Sequence, residues 1–161
     1  MTNPTRRHMA YVSCPLTGIP EEELAKLREY YAQIGEVLEA AGYIAYLPHV
    51  FGDPLLVPHL TPEQIDTIDR TAVSQSSLMV VYMGLPSHGA GQEIEMARTQ
   101  HMPIIMMASK DDRVSRLPLG SSMLFAELRS DSWEESLDHL AQAIAELQRN
   151  EPAWLPDILK L

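Results

Sequence analysis

Apolar positions in this chain follow two alternating rhythms, short continuous runs and steps of three or four residues. Runs at 8–13 (HMAYVS), 43–48 (YIAYLP), 78–83 (LMVVYM), 103–109 (PIIMMAS) and 122–128 (SMLFAEL) predict strands. LMVVYM is continuous in its apolarity, as a strand covered on both faces of a parallel sheet must be. Between the runs, Leu24, Leu27, Tyr31, Ile34 and Leu38 form a helical stripe over 20–41, opened by Pro20 with three glutamates and stopped by Gly42. Thr61 and Pro62, followed by Glu63 and Gln64, open a second helix that runs to about Ser76. A third covers 92–101. A fourth covers 133–148, with Leu137, Leu140, Ile144 and Leu147 on one face. HVFGDPLLVPHL and KDDRVSRLPLGSS are expected to be loops, the first long enough to suspect a function. Strands alternating with helices predict one α/β domain over 1–161. The expected form is a flavodoxin-like or Rossmann-like three-layer sandwich with a five-stranded, mainly parallel sheet.

Composition narrows the function classes. No apolar run approaches the length of a membrane span, so no membrane partner is expected. MTNPTRRH leads straight into a strand-like run, so no signal peptide is expected either. Cys14 is the only cysteine; this excludes an internal disulfide framework and fits a reducing cytoplasm. A formal net charge of −10 argues against a nucleic-acid partner, which would demand clustered Lys and Arg. A small anion could still bind to backbone amides at a helix start. His49, His59 and His88 show no metal-ligand spacing, so neither a metal nor another cofactor is expected. Cys14 reads as a small buried hydrophobe, and Met79, Met83, Met106 and Met107 as core filler.

In open α/β sheets ligands bind beyond the carboxyl ends of the strands, where strand order reverses. Three segments are expected there: CPLTG, HVFGDPLLVPHL and GLPSHGAGQ. In the last, Gly89 and Gly91 allow close backbone approach to a ligand, and Ser87 adds a hydroxyl. Glu93 follows in or near the first turn of a helix, where the dipole keeps a carboxylate ionised. Such a group can attack an electron-poor sugar carbon, as in retaining glycosidases. Glu95 lies about 200° further round the helix and should face away, so only one of the two can be catalytic. The other reading stays open at this point: the turn is tight for packing, and the acids are solvated.

Three segments together resemble the nucleoside 2-deoxyribosyltransferase family and its nucleotide-hydrolysing relatives. They are AYVSCPLTG; D-x-x-x-V-x-x-S from Asp69 to Ser76, leading into LMVVYM; and P-S-x-G-x-G-x-E-I-x-x-A from Pro86 to Ala97. The similarity covers roughly residues 9 to 128. It implies that Glu93 attacks the anomeric carbon and expels the nucleobase, and that Asp69 contacts the base or helps protonate it. For Tyr11, Ser13, Thr17 and Gly18 it implies sugar or phosphate contacts. Family members often carry Gly where this chain has Glu95, and those acting on free nucleosides often carry an acid where it has Ser87. The serine form is similar to that of the nucleoside 5′-monophosphate N-glycosidases, in which it helps hold the phosphate; a carboxylate there would repel the anion.

The resulting expectation is an enzyme cleaving the N-glycosidic bond of (2′-deoxy)nucleoside 5′-monophosphates. Its site residues are Glu93 and Asp69 (catalytic) and Tyr11, Ser13, Thr17, Gly18, Ser87, His88, Gly89 and Gly91 (substrate-binding). Alternatives are a deoxyribosyltransferase exchanging bases between free nucleosides and a nucleotide-sensing module without turnover. A flavin carrier shares the fold but gains little support from the few aromatics in these loops. The resemblance also implies a homo-oligomer, at least a dimer, with the tail EPAWLPDILKL and the helix at 92–101 as contact surfaces.

Overall fold

The computed structural model describes residues 8–53 and 55–150. Its strands are β1 (Met9–Ser13), β2 (Ile44–Tyr46), β3 (Ser76–Tyr82), β4 (Ile104–Ser109) and β5 (Leu124–Ser130). All pair in parallel in the order β2-β1-β3-β4-β5, which reverses between β1 and β3. The helices are α1 (Glu21–Ala40), α2 (Pro48–Phe51), α3 (Pro62–Gln75), α4 (His88–Thr99), α5 (Arg116–Leu119) and α6 (Trp133–Arg149). Fold class and sheet are those expected from the alternation of periods.

Alternation along the strands builds two cores. Ala10, Val12, Leu78, Val80, Ile105 and Met107 point to one face and meet Leu27, Tyr31, Ile34 and Leu38 of α1 with Leu140 and Ile144 of α6. Tyr11, Met79, Val81, Ile104 and Met106 point to the other and meet Ala72 and Val73 of α3 with Ala90, Ile94 and Ala97 of α4. Each fully buried aliphatic side chain contributes about 1.5–3 kcal/mol, so the central strands anchor the domain. Gly42, at φ +93°, turns the chain out of α1 in a conformation that side chains disfavour.

Several boundaries differ from expectation. Both segments expected to be loops contain a helical turn: Pro48 opens α2, and α5 lies within KDDRVSRLPLGSS. A proline preset for the first helical position explains the former. More consequential, α4 begins at His88 rather than Gln92, because the Ser87 hydroxyl accepts from the Ala90 amide and caps the helix there (3.2 Å). The GAG stretch is therefore the first turn of a helix, not a tight turn before one. The tail docking expected of EPAWLPDILKL falls outside the described residues.

Candidate active site

At the strand-order reversal, Tyr11 and Ser13 of β1 lie fully buried beneath the second turn of α4. The Tyr11 hydroxyl donates to Glu93 Oε1 at 2.9 Å and the Ser13 hydroxyl to Oε2 at 2.5 Å. Both carboxylate oxygens are thus held by donors from one strand, which fixes the side-chain rotamer. Burial raises the pKa of Glu93, the Ser13 and Tyr11 hydroxyls pull it back, and nearby Asp69 raises it again. Its position in the second turn removes the first-turn dipole argument: hydroxyl donors, not the helix end, support the ionised form.

Above Glu93 opens a cavity of about 500 Å³, walled by Gly52, Val57, Pro58 and Leu60, by Ile65, Asp66 and Asp69 of α3, and by Gly89, Gln92 and Met96 of α4. Asp69 is half-buried, and its Oδ1 has no hydrogen-bond partner among the described residues. Burial raises its pKa, the Tyr11 hydroxyl opposes this, and Asp66 adds like charge. Asp66, one turn earlier, is exposed and has both oxygens 2.8 Å from Arg70 Nε. The residue with a free oxygen is therefore Asp69. Glu95 faces solvent and pairs with Arg98 at 2.5 Å, as its angular offset from Glu93 requires.

The structure separates the remaining candidates. Gly89 walls the Glu93 cavity, whereas Ser87, His88 and Gly91 line a second cavity of about 820 Å³ on the other flank of α4. A side chain added at Gly91 would meet nothing within 4 Å, so packing does not explain this glycine. Thr17 and Gly18 are exposed in the β1–α1 loop, with Gly18 at φ +77°. Tyr11 and Ser13, expected to contact sugar or phosphate, both donate to the Glu93 carboxylate. His49 is buried in α2 rather than lying in an open loop. Among the described residues no cluster of three His, Cys, Asp or Glu could hold a metal ion. Cys14 is buried, and burial pushes its thiol pKa well up, which disfavours a thiolate nucleophile.

Sequence reasoning missed two supports. Tyr46 stacks between Tyr11 (5.3 Å between ring centroids) and Phe51 (5.1 Å). Asp53, only 1 % exposed, pairs with Arg28 of α1 and accepts from the Leu55 amide at 2.9 Å, which anchors the wall segment. An Asp bonding the amide two residues on is a turn signature, and the G-D-P stretch could have suggested it.

No family model matches the chain. A Methanosarcina mazei protein named "Putative 2'-deoxynucleoside 5'-phosphate N-hydrolase 1" is 30% identical over 118 residues, covering 71% of this chain and 73% of that protein. The chain belongs to the nucleoside 2-deoxyribosyltransferase-like family, which includes nucleotide N-glycosidases. A Thermofilum pendens family member of the same name is 27% identical over 125 residues, or 77% of this chain and 78% of the relative. Among solved structures, the CMP N-glycosidase BcmB of Clostridium botulinum matches at a TM-score of 0.63 and 18% identity, covering 83% of this chain and 98% of that one. The solution structure of BlsM matches at 0.67 and 17% identity, covering 93% and 98%. At these identities the two structures establish the family's fold here, not its substrate.

Proposed function

We propose that this protein hydrolyses the N-glycosidic bond of 2′-deoxynucleoside 5′-monophosphates, releasing the nucleobase. The observation that carries the reading is Glu93, held by Tyr11 and Ser13 at the floor of a cavity that Asp69 also faces. A Glu93 oxygen attacks C1′ and the C1′–N bond breaks. Its electron pair passes to the base nitrogen, which takes a proton from Asp69 in its acid form. Water then attacks C1′, its proton returns to Asp69, and Glu93 leaves as the carboxylate. Burial raises the pKa of Asp69, the direction that suits a group serving as proton donor. The apolar wall residues Val57, Leu60, Ile65 and Met96 suit a planar base. The names of the relatives support the nucleotide substrate.

Incubation with dCMP, dGMP, CMP and free deoxynucleosides, with and without an acceptor base, tests the reading. Base release from the deoxynucleotides, unchanged by acceptor and lost in Glu93→Ala, is expected. Exchange of bases would make the protein a transferase, and tight nucleotide binding without turnover a sensor.

The second cavity, apolar and beside a Leu117 that is 86 % exposed, is proposed as the contact with a second copy. Light scattering on the purified protein should give a dimer mass, and Leu117→Asp should give a monomer. The buried, unpaired Cys14 suits a reducing compartment, so we place the activity in the cytoplasm; cell fractionation would check this.

A further inference from the structure

The Glu93 cavity is lopsided in its hydrogen-bonding chemistry. Among the described residues its polar side chains are Asp66, Asp69, Gln92 and Glu93, and no Lys, Arg, His, Ser, Thr or Tyr lines it. Ionised carboxylates only accept, and Gln92 can offer either end of its amide. The three acids have different duties. Glu93 has both oxygens held by Tyr11 and Ser13, and Asp69 is the proposed proton donor to the leaving nitrogen. Asp66 has no such task. It precedes Asp69 by one turn on the same face of α3, about 5–6 Å away between Cβ atoms. Its side chain lines the cavity yet is 53 % exposed, so it stands at the mouth rather than the floor. Arg70 Nε lies 2.8 Å from both of its oxygens but does not itself line the cavity. One such donor fixes the direction of the carboxylate and leaves most of its four or so acceptor sites open.

We propose that Asp66 selects for bases that bear an exocyclic amino group, accepting from that group at the cavity mouth. The inference rests on reading Glu93 and Asp69 as the working carboxylates. A base whose glycosidic end meets Asp69 extends along α3 toward Asp66. Cytosine, adenine and guanine carry an amino donor there to offer, whereas uracil, thymine and hypoxanthine carry only carbonyls outside the ring. A carbonyl in the amino group's place would face a carboxylate with no proton between them. Selection is therefore by exclusion as well as attraction, and no other side chain of the wall is a fixed donor that could reverse it.

Two pairs of nearly isosteric nucleotides isolate the amino group: dCMP against dUMP, and dAMP against dIMP. Calorimetry on Glu93→Gln, which binds without turnover, should give the amino member of each pair about tenfold tighter binding, as for a hydrogen bond to a charged group. Asp66→Asn, whose amide can present oxygen or nitrogen, should bring both ratios within about threefold. Arg70→Met removes the ion pair and keeps the carboxylate, so the ratios should persist. Equal binding within the pairs, no binding of any of the four, or a preference that survives Asp66→Asn overturns the inference. So does a preference lost in Arg70→Met, since the ion pair and not the acceptor would then be its source. In the wild type, kcat/KM should follow the same order. A wild type that releases no base, while dCMP still outbinds dUMP in Glu93→Gln, sinks the hydrolase reading and leaves the base selection standing. Release of every base at one rate does the reverse.

Discussion

Opposing influences act on Glu93: burial and Asp69 favour its acid form, Ser13 and Tyr11 its carboxylate. Glu93→Gln should lower kcat by about 10³–10⁶-fold, the range for loss of a nucleophile, with nucleotide binding retained by calorimetry. The same change should stabilise the fold. A carboxyl whose folded pKa is raised contributes stability that is present below its unfolded value, near 4.5, and lost as pH rises through the folded value. Replacement by Gln should therefore raise Tm by about 2–4 °C at pH 8 and by less at pH 4, read by calorimetric melting. Ser13→Ala removes one donor from the charged form and raises the Glu93 pKa further. The acid limb of the activity profile should then move to higher pH by about 0.5–1 unit. Glu93 was legible in the sequence because acid chemistry and spacing coincide in PSHGAGQE. Its donors were legible as positions but not as partners. Nothing in AYVSC says that two side chains of one strand will reach the same carboxylate 80 residues away.

Helix α3 carries Asp69 and starts at a reciprocal cap, the Gln64 amide donating to the Thr61 hydroxyl and the Gln64 side chain accepting from the Thr61 amide. Thr61→Ala should cost about 1 kcal/mol in urea denaturation. Asp53 does heavier work. It ties α1 to the segment that walls the cavity, so Asp53→Ala leaves the Arg28 guanidinium partly buried without its partner. A loss of about 3 kcal/mol and a rise in KM are expected from denaturation and steady-state kinetics. The caps were readable, since Thr-Pro-Glu-Gln is local chemistry. The start of α4 was misjudged because glycines after Pro86 look like a turn, while the cap that overrides them is a single serine. Tyr46 carried no signal at all: its meaning comes from β1–β2 register, which a short apolar run does not specify.

For the whole molecule, the proposed function would have a protein of net charge −10 receive a dianionic substrate. Long-range repulsion should slow encounter at low ionic strength, so kcat/KM for a monophosphate should rise between about 10 and 150 mM salt as screening shortens its range to about 8 Å. A flat or falling dependence would point to a local positive field around the mouth. Parallel order and layering were legible because strand and helix periods alternate cleanly. The two cavities were not, since which flank of a helix a residue occupies depends on where the helix begins. That partition has a further consequence. One thin rod of twelve residues is shared by the proposed reaction chamber and the proposed seat of a neighbouring subunit. If both proposals hold, pressure applied on the Leu117 side would be felt on the Glu93 side, and remodelling how copies join would retune the chemistry as well.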